Sequence, residues 1–159
     1  MVIAPDPEDR GAPARTLGGP GAGVVFSLPR GWTARPVSGD DVVVGRAWGP
    51  PRTGVELELR RWDGDPDSIE PLLRKDPWAW SADGPYAQID GADGQPLVAS
   101  FRESTGDDPS LDIIGFGWFF SVQGRGVGVV ARVPAARMEA GFSAATEVVR
   151  TARAPGEPS

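Results

Sequence analysis

The chain has 159 residues, room for one domain of ordinary size, with 22 acidic against 16 basic side chains and a net charge of −6. It contains no Cys and no His, which excludes disulfides, thiolate nucleophiles, Cys-based metal sites and the usual proton shuttle near neutral pH. An acidic chain gains nothing from releasing phosphate counterions, so nucleic acid and anionic membrane surfaces are poor partners.

Gly (22) and Pro (17) are frequent enough to demand many turns, and apolar residues at 40% suffice for one core. No apolar run approaches the roughly 20 residues of a membrane span. The opening Met1–Arg10 carries acids where a signal peptide needs a basic region and an apolar run. These features predict a cytoplasmic protein.

Residues 1–22, with Pro5, Pro7, Pro13 and Pro20 and no periodic apolar face, read as a disordered tail. A single domain is expected over 23–153 and a second tail over 154–159. Val24–Leu28 gives a first strand, stopped by Pro29-Arg-Gly31, with Trp32 folding back as a core anchor. Asp41–Trp48 gives a second.

Val55–Trp62 has the clearest pattern. Val55, Leu57 and Leu59 point one way and Glu56, Glu58 and Arg60 the other, as in an antiparallel strand with one wet face. Asp63–Asp67 is a turn leading into a short helix over Ser68–Lys75, with Asp67 as N-cap, Glu70 three residues on and Pro77 as terminator. An aromatic loop follows, with Trp78, Trp80 and Tyr86, then strands over Tyr86–Ile89 and Leu97–Glu103.

The stretch Leu111–Arg153 organises the rest. Its first strand sets Ile114, Phe116, Trp118, Phe120 and Val122 on one face. Gln123-Gly124 supplies a two-residue hairpin turn, and the return strand carries Val127, Val129, Ala131 and Val133. A helix is expected over Ala135–Ala152, with Met138, Phe142, Ala145, Val149 and Ala152 on its apolar face. Gly141 costs that helix about 1 kcal/mol relative to Ala, so it implies a close approach to the sheet, mirrored by the sheet's own glycines. The predicted fold is α+β: a mostly antiparallel sheet of six or seven strands, the C-terminal amphipathic helix on one face and a short second helix.

The strand ending in Phe26-Ser-Leu-Pro-Arg-Gly-Trp32, the antiparallel strands, the closing hairpin and the helix ending in Val148-Val-Arg-Thr-Ala152 together resemble the Mog/PsbP-like α/β sandwich superfamily. That group includes the PsbP subunit of photosystem II, Ran-binding Mog proteins, DcrB- and LpqN-type bacterial proteins, and Eag-type chaperones of type VI secretion. The resemblance covers about residues 24–153. It implies a binding or assembly factor and brings no catalytic residue to carry over. The Gly/Pro-rich start and the Trp78/Trp80 loop are not features the family predicts.

Candidate chemistry is sparse. Glu56 and Glu58 point the same way with Cα atoms about 6.6 Å apart, a separation that glycosidases use, but a wet strand face explains them as well. Asp63, Asp65 and Asp67 begin like a calcium loop, yet Ser68 stands where Gly is needed and Arg74 where Glu is needed. Asp107, Asp108 and Asp112 have no ligand spacing, so no metal and no cofactor is expected. A Ser-Lys pair would depend on Lys75, the single Lys of the chain. The glycines of Gly115-Phe-Gly117 and Gly124-Arg-Gly126 lie in or between strands, not before a helix, so they form no phosphate loop.

The aromatics remain. Trp78, Trp80 and Tyr86 form either a contact loop or a lid over the open side of the sandwich. Phe116, Trp118 and Phe120 form either core or the lining of a groove. The leading expectation is a non-catalytic protein-binding module, an adaptor, chaperone or assembly factor that contacts a protein partner through these six residues. The alternatives are a carrier of a small molecule or lipid tail in a cavity between helix and sheet, and a hydrolase using carboxylates alone.

Overall fold

The computed structural model describes residues 12–38, 42–62, 81–82, 89–93, 97–104 and 106–155. Ten strands appear in it: β1 (Ala12–Pro13), β2 (Thr16–Gly19), β3 (Val24–Ser27), β4 (Thr33–Pro36), β5 (Val43–Trp48), β6 (Glu56–Trp62), β7 (Ser81–Ala82), β8 (Leu97–Glu103), β9 (Ile113–Val122) and β10 (Arg125–Pro134). Among the described residues one α-helix, α1 (Met138–Val149), follows a 3₁₀ turn at Ala135–Arg137.

Eight strands form one sheet in the order β1-β4-β5-β6-β10-β9-β8-β7, every pairing antiparallel, and β2 and β3 form a separate two-stranded sheet. This corrects the expected class. Strands dominate and the described residues hold one α-helix of 12 residues, so the protein is mostly β rather than α+β. The strand count exceeds six or seven because β1, β4 and β7 are too short for alternation to reveal and exist through their partners alone. The helix expected over Ser68–Lys75 lies outside the described residues. So does most of the Tyr86–Ile89 strand, and Ile89 itself is not extended into a sheet.

The register follows the hairpin. Val122 pairs with Arg125 across Gln123-Gly124, and both turn residues have positive φ (50° and 78°), the geometry that matches strand twist. Ten residue pairs then run from Val122↔Arg125 to Ile113↔Pro134, so β9 and β10 present Trp118, Phe120, Val127, Val129, Ala131 and Val133 on one side. On that side β6 adds Leu57 and Leu59, both fully buried.

Helix α1 and the β2–β3 sheet cover this face. Phe142 stacks on Trp118 with ring centroids 6.0 Å apart and meets Phe116 at 4.6 Å. Phe26 of β3 meets Phe120 edge-on at 6.4 Å. Gly141 allows the helix to seat: a Cβ there would stand 2.9 Å from Val133 Cβ, inside any real contact distance. The sheet glycines do not mirror it. A Cβ on Gly115 would overlap the Phe101 ring, and one on Gly128 would press Phe119 at 3.1 Å, so they make room for aromatics on the opposite face.

Two further expectations change. Residues 12–22 are not a tail: Leu17 pairs with Phe26 and is buried at 3% exposure, so ordered structure begins by Ala12. Met138 is 46% exposed rather than part of the helix's apolar face, because the α-helix starts at Met138 and its buried residues, Gly141, Ala145, Val148 and Val149, lie further along. The chain after the helix is pinned. Arg153 exchanges backbone hydrogen bonds with Val25 (2.8 and 3.0 Å), and Thr151 Oγ1 accepts one from the Ser27 amide at 2.7 Å.

Candidate functional site

The carboxylate pair of β6 is the first candidate to resolve. Both acids lie on the face opposite α1, as alternation requires, but that face is not wet at its centre: Glu58 is 6% exposed and Arg60 is 1% exposed. Glu58 is enclosed by guanidinium groups. Arg60 donates to Oε2 from Nε (2.9 Å) and from Nη2, Arg46 Nη2 reaches Oε1 at 3.3 Å, and Arg132 Nη1 lies 3.7 Å from Oε2. Glu56, further out, meets Arg46 at 3.8 Å. The cross-strand register creates this array by setting Arg46 opposite Glu58 and Arg132 opposite Glu56. With both oxygens of Glu58 held by Arg, Glu58 sits in a buried ion network with Glu56 at its exposed rim, and not as a free acid with its base. Sequence spacing shows the two acids but not the arginines that neutralise them, because Arg46 and Arg132 come from other strands.

The aromatic candidates separate. Trp118 (1% exposed) and Phe120 (7%) are core side chains under α1 and β3, which leaves them no surface for a partner. Phe116 is half-buried beside Phe142. Trp78, Trp80 and Tyr86 lie outside the described residues, as do Asp63, Asp65, Asp67 and Lys75. Between helix and sheet the Phe142, Phe116 and Trp118 rings pack on one another.

Asp112 pairs with Arg102 at 2.6 Å, which ties it to the sheet edge rather than to Asp107 and Asp108. Among the described residues no group of three or more His, Cys, Asp or Glu is placed to hold a metal ion. No helix among them is long and apolar enough to cross a membrane.

What sequence reasoning missed is a pair of open grooves at the β4 end of the sheet. One, about 570 Å³, lies between Pro13–Arg15 and Leu28–Trp32. The other, about 590 Å³, lies between the Thr16–Ala22 segment and Ala34–Val37, with Val44 and Arg61 in its wall. They share Ala14. Among the described residues Arg15, Arg30, Arg35 and Arg61 line them, and no acidic residue does. A signal was present: from Ala12 to Ser38 the chain has three Arg and no acid, against four acids and one Arg from Leu97 to Asp112. Strands β4 and β8 stand five steps apart in the sheet, about 24 Å at the usual strand spacing, so the basic and acidic stretches sit at opposite ends.

Comparison with known proteins places this architecture in a class by its fold. No family model matches the chain, and no curated protein matches it. Among solved structures, the solution structure of the cyanobacterial PsbP protein (CyanoP) from Synechocystis superposes over 91% of this chain and 95% of its own, with TM-score 0.53 and 12% identity. The fold is thus PsbP-like. A crystal structure of a protein from Bacteroides thetaiotaomicron matches over 93% of this chain with TM-score 0.58 and 15% identity. The present chain spans half the length of that protein.

Proposed function

We propose that this chain is a non-catalytic binding module that docks on a protein partner, as an accessory, adaptor or assembly factor. The observation that carries the reading is the pair of open grooves at the β4 end, lined among the described residues by four arginines and no acid, in a chain that is acidic overall. Grooves of several hundred Å³ with few polar anchors are where ligands and partner segments seat. The PsbP-like fold supports the same reading, since the superfamily that the sequence resembles consists mostly of binding and assembly factors. The enclosure of Glu58 by Arg60, Arg46 and Arg132 speaks against a carboxylate-based hydrolase. The ring packing between α1 and the sheet gives no support to a lipid-tail cavity.

The aromatic stretch Trp78, Trp80 and Tyr86, with the half-buried Phe116 at the helix margin, is proposed as a further contact, since aromatic side chains are enriched among binding hot spots. The test is affinity purification of the intact chain from its own source, with mass spectrometry, run in parallel with Trp78→Ala/Trp80→Ala. A partner that co-purifies reproducibly, and is lost in the double variant without loss of thermal stability, supports both parts. Absence of any reproducible partner refutes the binding reading. A fall in the thermal midpoint of the double variant refutes the aromatic contact.

A further inference from the structure

We propose that the groove between Pro13–Arg15 and Leu28–Trp32 receives the carboxyl terminus of a partner protein, a free carboxylate beside an apolar last side chain; this rests on the reading of the chain as a protein-binding module and names what that partner must offer. Charge is the first ground. Arg15 and Arg30 are exposed, both line this groove of about 570 Å³, and neither guanidinium has a partner among the described residues. The pairing of β2 with β3 aims Arg15. It continues past Thr16↔Ser27, where the Leu28 N–H donates to the Arg15 carbonyl at 2.8 Å, so Arg15 takes the same side as Leu28. Leu28 points inward at 7% exposure, as Phe26 does two residues earlier. Arg30 stands in the turn that the Trp32 N–H closes on the Pro29 carbonyl. Two guanidiniums bordering one groove repel each other, and a carboxylate seated there relieves it, its two oxygens matching the planar fork of Arg.

Main-chain donors are the second ground. The amides of Arg15, Arg30 and Gly31 make no hydrogen bond among the described residues. The same two segments thus carry N–H groups as well as guanidiniums for an anion, as sites that capture a chain terminus do.

Shape is the third. The segments are tied together at both ends, Leu28 to Arg15 and the Ala14 N–H to the Trp32 carbonyl at 3.2 Å, so the groove is short. Its remaining lining is apolar apart from Gly31: Pro13, Ala14, Leu28, Pro29 and Trp32. Only the last residue of a chain sets a carboxylate and an apolar side chain on one Cα. An Asp or Glu inside a chain has no apolar group of its own and needs room for chain on both sides.

Two other occupants fit less well. A phosphate or a nucleic acid leaves the apolar lining unused and meets a chain of net charge −6. Strand addition finds few donors, because Pro13 and Pro29 carry no N–H.

The test uses the full nitrogen-labelled chain and the peptide acetyl-Ser-Ala-Leu-Phe with a free terminal carboxylate, followed by heteronuclear NMR at about 50 mM salt, where screening is weak. Saturable shifts should centre on the amides of Arg15, Arg30 and Gly31 and on the Trp32 indole. The double variant Arg15→Gln/Arg30→Gln, both positions being exposed, should weaken binding by about tenfold or more with its unfolding midpoint unchanged. The same peptide ending in a carboxamide should lose as much. No saturable shift by about 10 mM peptide, shifts centred elsewhere, or equal binding by the carboxamide or by the double variant overturns the proposal. Equally tight binding of inorganic phosphate or of hydrocinnamate also overturns it, by making a small anion the occupant. The parent reading falls separately: a natural partner captured equally by wild type and the double variant leaves the binding module standing and removes this site, whereas no reproducible partner removes both.

Discussion

Replacing Glu58 by Gln tests whether the carboxylates of β6 are structural. Glu58 is 6% exposed and its nearest cation, Arg60, is 1% exposed, so water cannot solvate the guanidinium when its counter-charge goes. Breaking a buried ion pair by removing one partner costs about 3–5 kcal/mol, because an uncompensated charge stays buried. Arg46 and Arg132 are partly exposed, at 38% and 26% of their side chains, so their share is screened and adds no more than about 1 kcal/mol. Glu58→Gln is therefore expected to destabilise by about 3–5 kcal/mol. With a urea m-value of about 2 kcal/mol/M, the midpoint falls by about 1.5–2.5 M. The paired change Glu58→Met/Arg60→Met removes both charges and should recover most of that loss. Urea unfolding followed by Trp fluorescence reads both. A Glu58→Gln chain within about 0.5 kcal/mol of wild type would show that the arginines are not anchored through this carboxylate, and the structural account of the pair would fail.

Gly141→Ala should destabilise by about 1–3 kcal/mol despite the better helix propensity of Ala, since the new Cβ would stand 2.9 Å from Val133 Cβ; a stabilised variant in the same urea assay contradicts the close seating of α1. Phe142→Ala, which strips the helix of its rings against Phe116 and Trp118, should cost about 2–4 kcal/mol and leave far-UV strand signal unchanged after refolding. Asp93 accepts the backbone N–H groups of Gly124 (2.8 Å) and Gln123 (3.1 Å) at the hairpin tip, and the Gly124 bond foremost holds its carboxyl below the ordinary carboxylate value. Because that group's folded pKa is depressed, its contribution is complete above the unfolded value near 4 and is lost as pH falls through the folded value. Asp93→Asn should thus lower stability at pH 7 by no more than about 0.5 kcal/mol, since the exposed group is screened by solvent, and flatten the acid limb of the stability curve below pH 4. A pH profile parallel to wild type would remove Asp93 from that role.

The long periodic elements were fixed by local pattern. Alternation in Glu56–Trp62 and in Ile113–Val122, the positive-φ turn at Gln123-Gly124 and the apolar spacing of Phe142, Ala145 and Val149 each describe one element, and each forms where its own residues place it. Absence of Cys and His likewise bounds the chemistry without any knowledge of shape. What only the tertiary structure decided depends on residues far apart in the chain. Leu17 reads as part of a Gly/Pro-rich tail until its pairing with Phe26 buries it. Glu58 reads as solvated until the register brings Arg46 and Arg132 from neighbouring strands to its carboxylate. The arginine-lined grooves exist because Pro13–Ala22 folds back against β4, which no period in the sequence encodes. Periodicity reports which face a side chain takes along its own strand; what stands on that face is set by pairing, and pairing is a property of the whole chain.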